Sequence, residues 1–120
     1  MRDFQLYLKD ILDAINAIEN FVQNMTLDQF KLDDKTSSAV IRKFEIIGEA
    51  TKSISEDIRQ NYTQVPWKEM AGMRDKLIHF YFGIDYNLVW QAVKNRLPQI
   101  KPVIRQIIDD LENRELVNHT

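Results

Sequence analysis

Phe4, Leu8, Ile11, Ile15, Ile18, Val22 and Met25 follow one another at steps of four and three residues. That spacing keeps one side of an α-helix apolar over about six turns; a strand, which repeats every second residue, cannot use it. Leu12 and Phe21 widen the stripe beyond a two-helix seam, which predicts a bundle core for this helix to face. Asp3 stands where it can cap the helix start. Val40, Phe44, Ile47, Thr51, Ile54 and Ile58 repeat the same steps in a second helix. With 3 glycines and 3 prolines in 120 residues, turns are scarce and elements must be few and long. The class expected is all-α. A 44% apolar content excludes a disordered polar chain, and the length suits one domain over residues 1–120, with 114–120 frayed.

The punctuation between helices can be read residue by residue. Thr26-Leu-Asp-Gln29 is a capping box for a short turn, and Phe30 and Leu32 are expected to lid one end of the core. Asp33 and Asp34 are acidic caps for the second long helix. Gly48 inside that helix costs about 1 kcal/mol against alanine, which suggests close approach of a neighbouring helix. Gln60 to Val65 is a polar connection, and Pro66 suits a first helical position. Trp67 to Tyr81 reads as one helix, or as a short turn and then a helix from Gly72; Gly83 ends it. Asp85 caps a fourth helix, and Pro98 and Pro102 break or kink the chain to begin a fifth.

Several functions are excluded early. The chain has no cysteine, hence no disulfide or thiolate metal site, and 2 histidines cannot build a histidine-rich centre. No metal or cofactor is expected. No apolar run approaches the ~18 residues of a membrane span, and residues 1–10 have no signal-peptide core. A cytoplasmic protein is the expectation. A formal charge of −2 argues against a long basic groove for nucleic acid, though a small site could still accept it. Between Tyr86 and Ile108 the only charges are Lys94, Arg96, Lys101 and Arg105. These form either a solvated face or a modest rim for a polyanion.

Polar chemistry concentrates in Gly72-Met-Arg-Asp-Lys-Leu-Ile-His-Phe-Tyr-Phe-Gly83. On a helix, Arg74 and His79 would be about 140° and 7.5 Å apart. They share a cleft only if the long arginine reaches over or a second wall completes it. Asp75, four before His79, could hold an imidazole nitrogen and fix its tautomer. Histidine can move a proton from an RNA 2′-hydroxyl, and arginine can pair with phosphate through two hydrogen bonds. The plainer alternatives are a structural histidine, a surface Arg–Asp pair and a packed tyrosine.

Arg74-Asp75-x-x-x-His79-x-Tyr81 resembles the Arg-x4-His-x-Tyr signature of HepT-like toxins of the HEPN superfamily. Ile47-Gly-Glu-Ala50, Pro66-Trp67, Gly72-Met73, Val89-Trp90 and Leu97-Pro98 carry the likeness from about Leu8 to Leu111. The resemblance implies an up-and-down four-helix bundle with an additional short or C-terminal helix, forming a homodimer whose motif segments meet in one cleft. It implies a metal-independent endoribonuclease acting on RNA, the toxin of a type VII-like toxin–antitoxin pair. In that reading His79 is the general acid/base, Arg74 the phosphate clamp and Asp75 a supporting group. Tyr81 is the residue adenylylated by a minimal nucleotidyltransferase antitoxin. Glu49 is a candidate partner behind Arg74, or an ordinary surface carboxylate. The competing expectations are a non-catalytic helical dimer that binds a nucleotide or a protein, and a purely structural adaptor.

Overall fold

The computed structural model describes residues 4–73, 75, 78, 79 and 83–118, with 78, 79 and 115–118 described in their backbone alone. Helices α1 (Phe4–Phe21) and α3 (Asp34–Lys52) lie against each other and form the centre of the molecule. Their apolar stripes meet there. Leu8, Ile11, Ile15 and Ile18 from α1 are fully buried with Val40, Phe44 and Ile47 from α3. Thr51 is equally buried, because its hydroxyl donates to the Ile47 carbonyl at 2.6 Å and so needs no water. Asp3, the expected cap of α1, lies outside the described residues.

Between them, α2 (Leu27–Leu32) begins with the expected capping box. The Gln29 amide donates to Thr26 Oγ1 at 3.2 Å, and the Thr26 amide donates to Gln29 Oε1 at 2.9 Å. Phe30 closes the core, buried beneath Tyr86 and Trp90 with ring centroids 6.1 and 5.2 Å away. Leu32 does not join it and is 87% exposed, because two residues along a helix face nearly opposite sides. Asp33 caps α3 through Thr36, and those hydrogen bonds hold its carboxyl below the usual range.

The second apolar series does not belong to one helix. α3 stops at Lys52, and Ser55 caps a separate α4 (Glu56–Asn61), so Ile54 and Ile58 reach the core from different elements. α5 (Trp67–Ala71) follows, with Pro66 just outside its first turn. The helix expected to run on to Tyr81 does not. Ile78–His79 (β1) pairs antiparallel with Gly83–Ile84 (β2), His79 opposite Gly83. Gly83 has a φ of 84°, a left-handed value that glycine takes freely, and it sits in the strand rather than at a helix end. The run Ile-His-Phe-Tyr-Phe is rich in aromatic side chains, which favour extended backbone.

Asp85 caps α6 (Tyr86–Gln91), its carboxylate accepting from the Leu88 amide at 3.1 Å. The expected break at Pro98 and Pro102 is absent. α6 passes through a π turn (Ala92–Arg96) straight into α7 (Leu97–Asn118). The π turn lies directly before Pro98, over the carbonyls that a proline ring would crowd and leave without a donor. From Tyr86 to Asn118 the helix spans about 50 Å, close to the 54 Å long dimension of the molecule. It continues past Arg114, where fraying is expected. Val89, Val93, Leu97, Ile100, Ile104 and Ile107 line its buried side. Apart from the short strand pair that follows α5 in the chain, the elements of the described residues are helical, the all-α class expected. No helix among the described residues is long and apolar enough to cross a membrane.

Candidate active site

The platform beneath the motif is set by Gly48. A Cβ added there would stand 3.3 Å from the Ala71 carbonyl oxygen and 3.7 Å from that of Met70. Even a methyl group here would press on the Ala71 carbonyl and make the end of α5 give by a few tenths of an ångström, so the glycine lets α5 settle closely on α3. Met70 and Met73, both buried, pin the chain on either side of Gly72. Trp67 is buried as well, and its indole N–H donates to the Tyr62 carbonyl at 3.0 Å. The segment carrying the motif therefore leaves α5 from a fixed position. The Asp75 amide donates back to the Gly72 carbonyl at 3.1 Å.

Against this platform lies a cleft of about 240 Å³ lined by Arg42, Glu45, Gly48, Glu49, Lys52, Ala71 and Asp75. It brings together two residues singled out from the sequence, Glu49 and Asp75. Arg42, Glu45 and Glu49 also line a neighbouring hollow of about 400 Å³ with Tyr7 and Asp10 of α1. Two ion pairs cross the α3 surface here, Arg42 to Glu45 at 3.2 Å and Lys52 to Glu49 at 3.5 Å. The cleft is thus polar, of mixed sign and open to solvent. Arg42 and Lys52 are absent from the residues singled out at first, although a signal exists. Arg42, Glu45, Glu49 and Lys52 are spaced three, four and three, a charged stripe on the helix whose other face is core.

The remaining motif residues can be placed only in part. His79 lies in β1, so the helical arithmetic that sets it 140° from Arg74 and on one face with Asp75 does not hold. The reason is the change from helix to strand after Asp75. Arg74 and Tyr81 lie outside the described residues.

A second groove, of about 710 Å³, runs between α4 and α5. Arg59, Thr63, Pro66, Trp67, Lys68, Glu69 and Gly72 line it, with a mostly apolar floor. The basic stretch from Lys94 to Arg105 is largely engaged in contacts with the molecule's own side chains. Arg96 pairs with Glu69 at 2.9 Å, Lys101 with Glu19 at 2.8 Å, and Lys94 sits 4.8 Å over the Trp90 ring. Arg105 is exposed. The expected rim is therefore weaker than its sequence suggests.

Among the described residues no group of three or more His, Asp or Glu gathers as metal ligands do. A family model for ribonuclease HepT-like proteins matches residues 11–107. The chain is 47% identical to the protein named "Putative RNase MJ0127" of Methanocaldococcus jannaschii, covering 95% of this chain and 94% of that one. It is 48% identical to "Probable ribonuclease HepT" of Thermococcus cleftensis, over 83% of this chain and 91% of the relative. No solved structure gives a significant match. With the motif, the helical bundle and a family match over most of its length, the chain belongs to the ribonuclease HepT-like family.

Proposed function

We propose that this chain is the toxin of a type VII-like toxin–antitoxin pair, a metal-independent endoribonuclease. The observation that carries the reading is the family match, which spans the whole Arg74–Tyr81 motif and joins relatives named as ribonucleases. Arg74 clamps the scissile phosphate. His79 takes the proton of the 2′-hydroxyl, whose oxygen attacks phosphorus, and the 5′-oxygen leaves with a proton from a second acid. In a homodimer that acid is the same histidine of the other copy. The products are a 2′,3′-cyclic phosphate and a 5′-hydroxyl. Asp75 supports the site beside Arg74 in sequence, and Glu49, which lines one cleft with Asp75, is the candidate partner behind the arginine.

Tyr81 follows His79 by two residues. An adenylyl group placed there by a nucleotidyltransferase antitoxin adds phosphate charge where RNA phosphate must sit, and blocks the site. The test is digestion of single-stranded RNA in excess chelator. Cleavage is expected to persist in chelator and to fall at least ~100-fold in His79→Ala and in Arg74→Ala. Cleavage that vanishes with chelator, or survives His79→Ala, counts against the mechanism. Coexpression with the antitoxin is expected to add mass in adenylate steps that Tyr81→Phe prevents.

A further inference from the structure

The groove between α4 and α5 is separate from the cleft that holds Glu49 and Asp75, and the reaction above does not use it. Its chemistry is uneven in a telling way. Pro66, half-buried, and Trp67, almost wholly buried, line its mostly apolar floor, so an apolar group has a surface to lie against. Three charges line the walls. The one acid, Glu69, is already committed to Arg96 at 2.9 Å. Lys68 is exposed and forms no ion pair among the described residues.

Arg59 is held by one end. Its Nη2 donates to the Thr51 carbonyl at 2.7 Å, at the C-terminal end of α3, and no carboxylate pairs with it among the described residues. Its Nε is buried and has no hydrogen-bond partner among the described residues. The Thr51 hydrogen bond thus holds the guanidinium at the groove wall, with no carboxylate among the described residues to neutralise it. A groove with a net positive wall, an apolar floor and a volume within the usual range for small-ligand sites suits a phosphate joined to a flat ring.

Its position narrows the choice. Gly72 lines the groove, and Arg74 is two residues further on, at most about 7 Å of chain. A strand lying with one phosphate at Arg74 has its neighbouring nucleotide within reach of Lys68 and Arg59. We infer that this groove is a subsite for single-stranded RNA, which holds a nucleotide next to the scissile bond through Lys68, Arg59 and the Pro66–Trp67 floor. The inference rests on the ribonuclease reading for the word scissile, but not for the binding itself.

The experiment therefore measures binding without cleavage. A fluorescent 2′-O-methyl oligonucleotide, which lacks the attacking hydroxyl, is titrated onto the full chain by anisotropy over a range of salt. Lys68→Glu is expected to weaken binding about tenfold and to flatten the salt dependence by about one counterion. Lys68→Gln gives a smaller effect in the same direction and guards against a fold defect. Acetylation of Lys68 should slow when the oligonucleotide is bound, whereas that of Lys31 on α2 should not. Unchanged affinity in Lys68→Glu with no protection of Lys68 overturns the subsite, even if the chain cuts RNA. Protection with weakened binding in a chain that cuts no RNA keeps the subsite and sinks the ribonuclease mechanism. Displacement of the oligonucleotide by polyglutamate at equal charge concentration also overturns it, because the floor would then contribute nothing specific to a nucleotide.

Discussion

The α1–α3 pair and the segment from α5 to β2 are built on opposite plans. In the pair, fully buried side chains recur every third or fourth residue, and each contact resembles the next. In the segment, a five-residue helix and two strands of two residues hang from a few particular points: Gly48, Met70 and Met73. The first plan stores energy redundantly. The second stores geometry in single contacts, and the motif sits on the second. A change in the pair should therefore cost stability, whereas a change at the platform should cost geometry out of proportion to stability.

Phe44→Ala tests the first half and has the largest expected energy, about 3–5 kcal/mol lost in urea unfolding. A loss below about 1 kcal/mol would mean the pair is not the store of energy that its burial suggests. Gly48→Val tests the second half. Overpacking against the Ala71 carbonyl is expected to cost about 1–3 kcal/mol. Cleavage of RNA by the protein that remains folded should fall more than tenfold, because α5 must lift. Full activity per folded molecule would break the contrast.

A smaller effect sharpens it at the joint between the two plans. The Tyr62 hydroxyl donates to the Asp110 carboxylate, tying the connection before α5 to the last helix. Burial, and then that carboxylate, push the Tyr62 hydroxyl above its ordinary range. The Tyr62 and Gln106 hydrogen bonds hold Asp110 below its own. The depressed carboxyl stabilises the fold above an unfolded pKa of about 3.9, and that share is lost as pH falls through the folded value. The raised phenol stabilises below an unfolded pKa of about 10, and its share is lost as pH rises through the folded value. The stability gap between the unaltered chain and Tyr62→Phe should be widest between these limits and should narrow toward either, read as melting temperature against pH. The smallest effect belongs to Leu32→Ser, expected within about 0.5 kcal/mol of the unaltered chain because the side chain meets water.

The same contrast governs what could be read from the chain before its structure. The stripes of α1 and α3, the Thr26 box and the Asp33 and Asp85 caps were legible because each rests on local spacing or local hydrogen bonds. So was the use of Gly48, since a glycine in a helix interior asks for a neighbour at close range. The exposed Leu32 was not, because apolarity alone does not say which side of a short helix faces in. Ile54 and Ile58 kept helical spacing while belonging to other elements, so periodicity ran across a break that Ser55 marked. The strand at His79 was masked by the helical reading of Trp67 to Tyr81, although the aromatic run before Gly83 favoured extended chain. Of the residues that line the two hollows beside α5, Glu49 and Asp75 had been singled out in the chain, and they share a cleft. Arg59 and Lys68 were not, since nothing in their spacing shows that two short helices leave a groove between them.

The wide turn at Ala92–Arg96 has one more consequence. It holds an extra residue without interrupting the rod, so it sets the angular phase between the part of the helix that covers Phe30 and the part that lies along α1. Deleting one residue there, Asn95 for instance, would let the turn close to ordinary pitch with both flanks still in phase. Deleting one from the regular helix just beyond, Gln99 for instance, would instead rotate everything after it by about 100°, and Ile100, Ile104 and Ile107 would swing away from α1 together. A proline that usually ends a helix is here tolerated by a loosened coil, and that coil also keeps two halves of one rod aimed at two different neighbours.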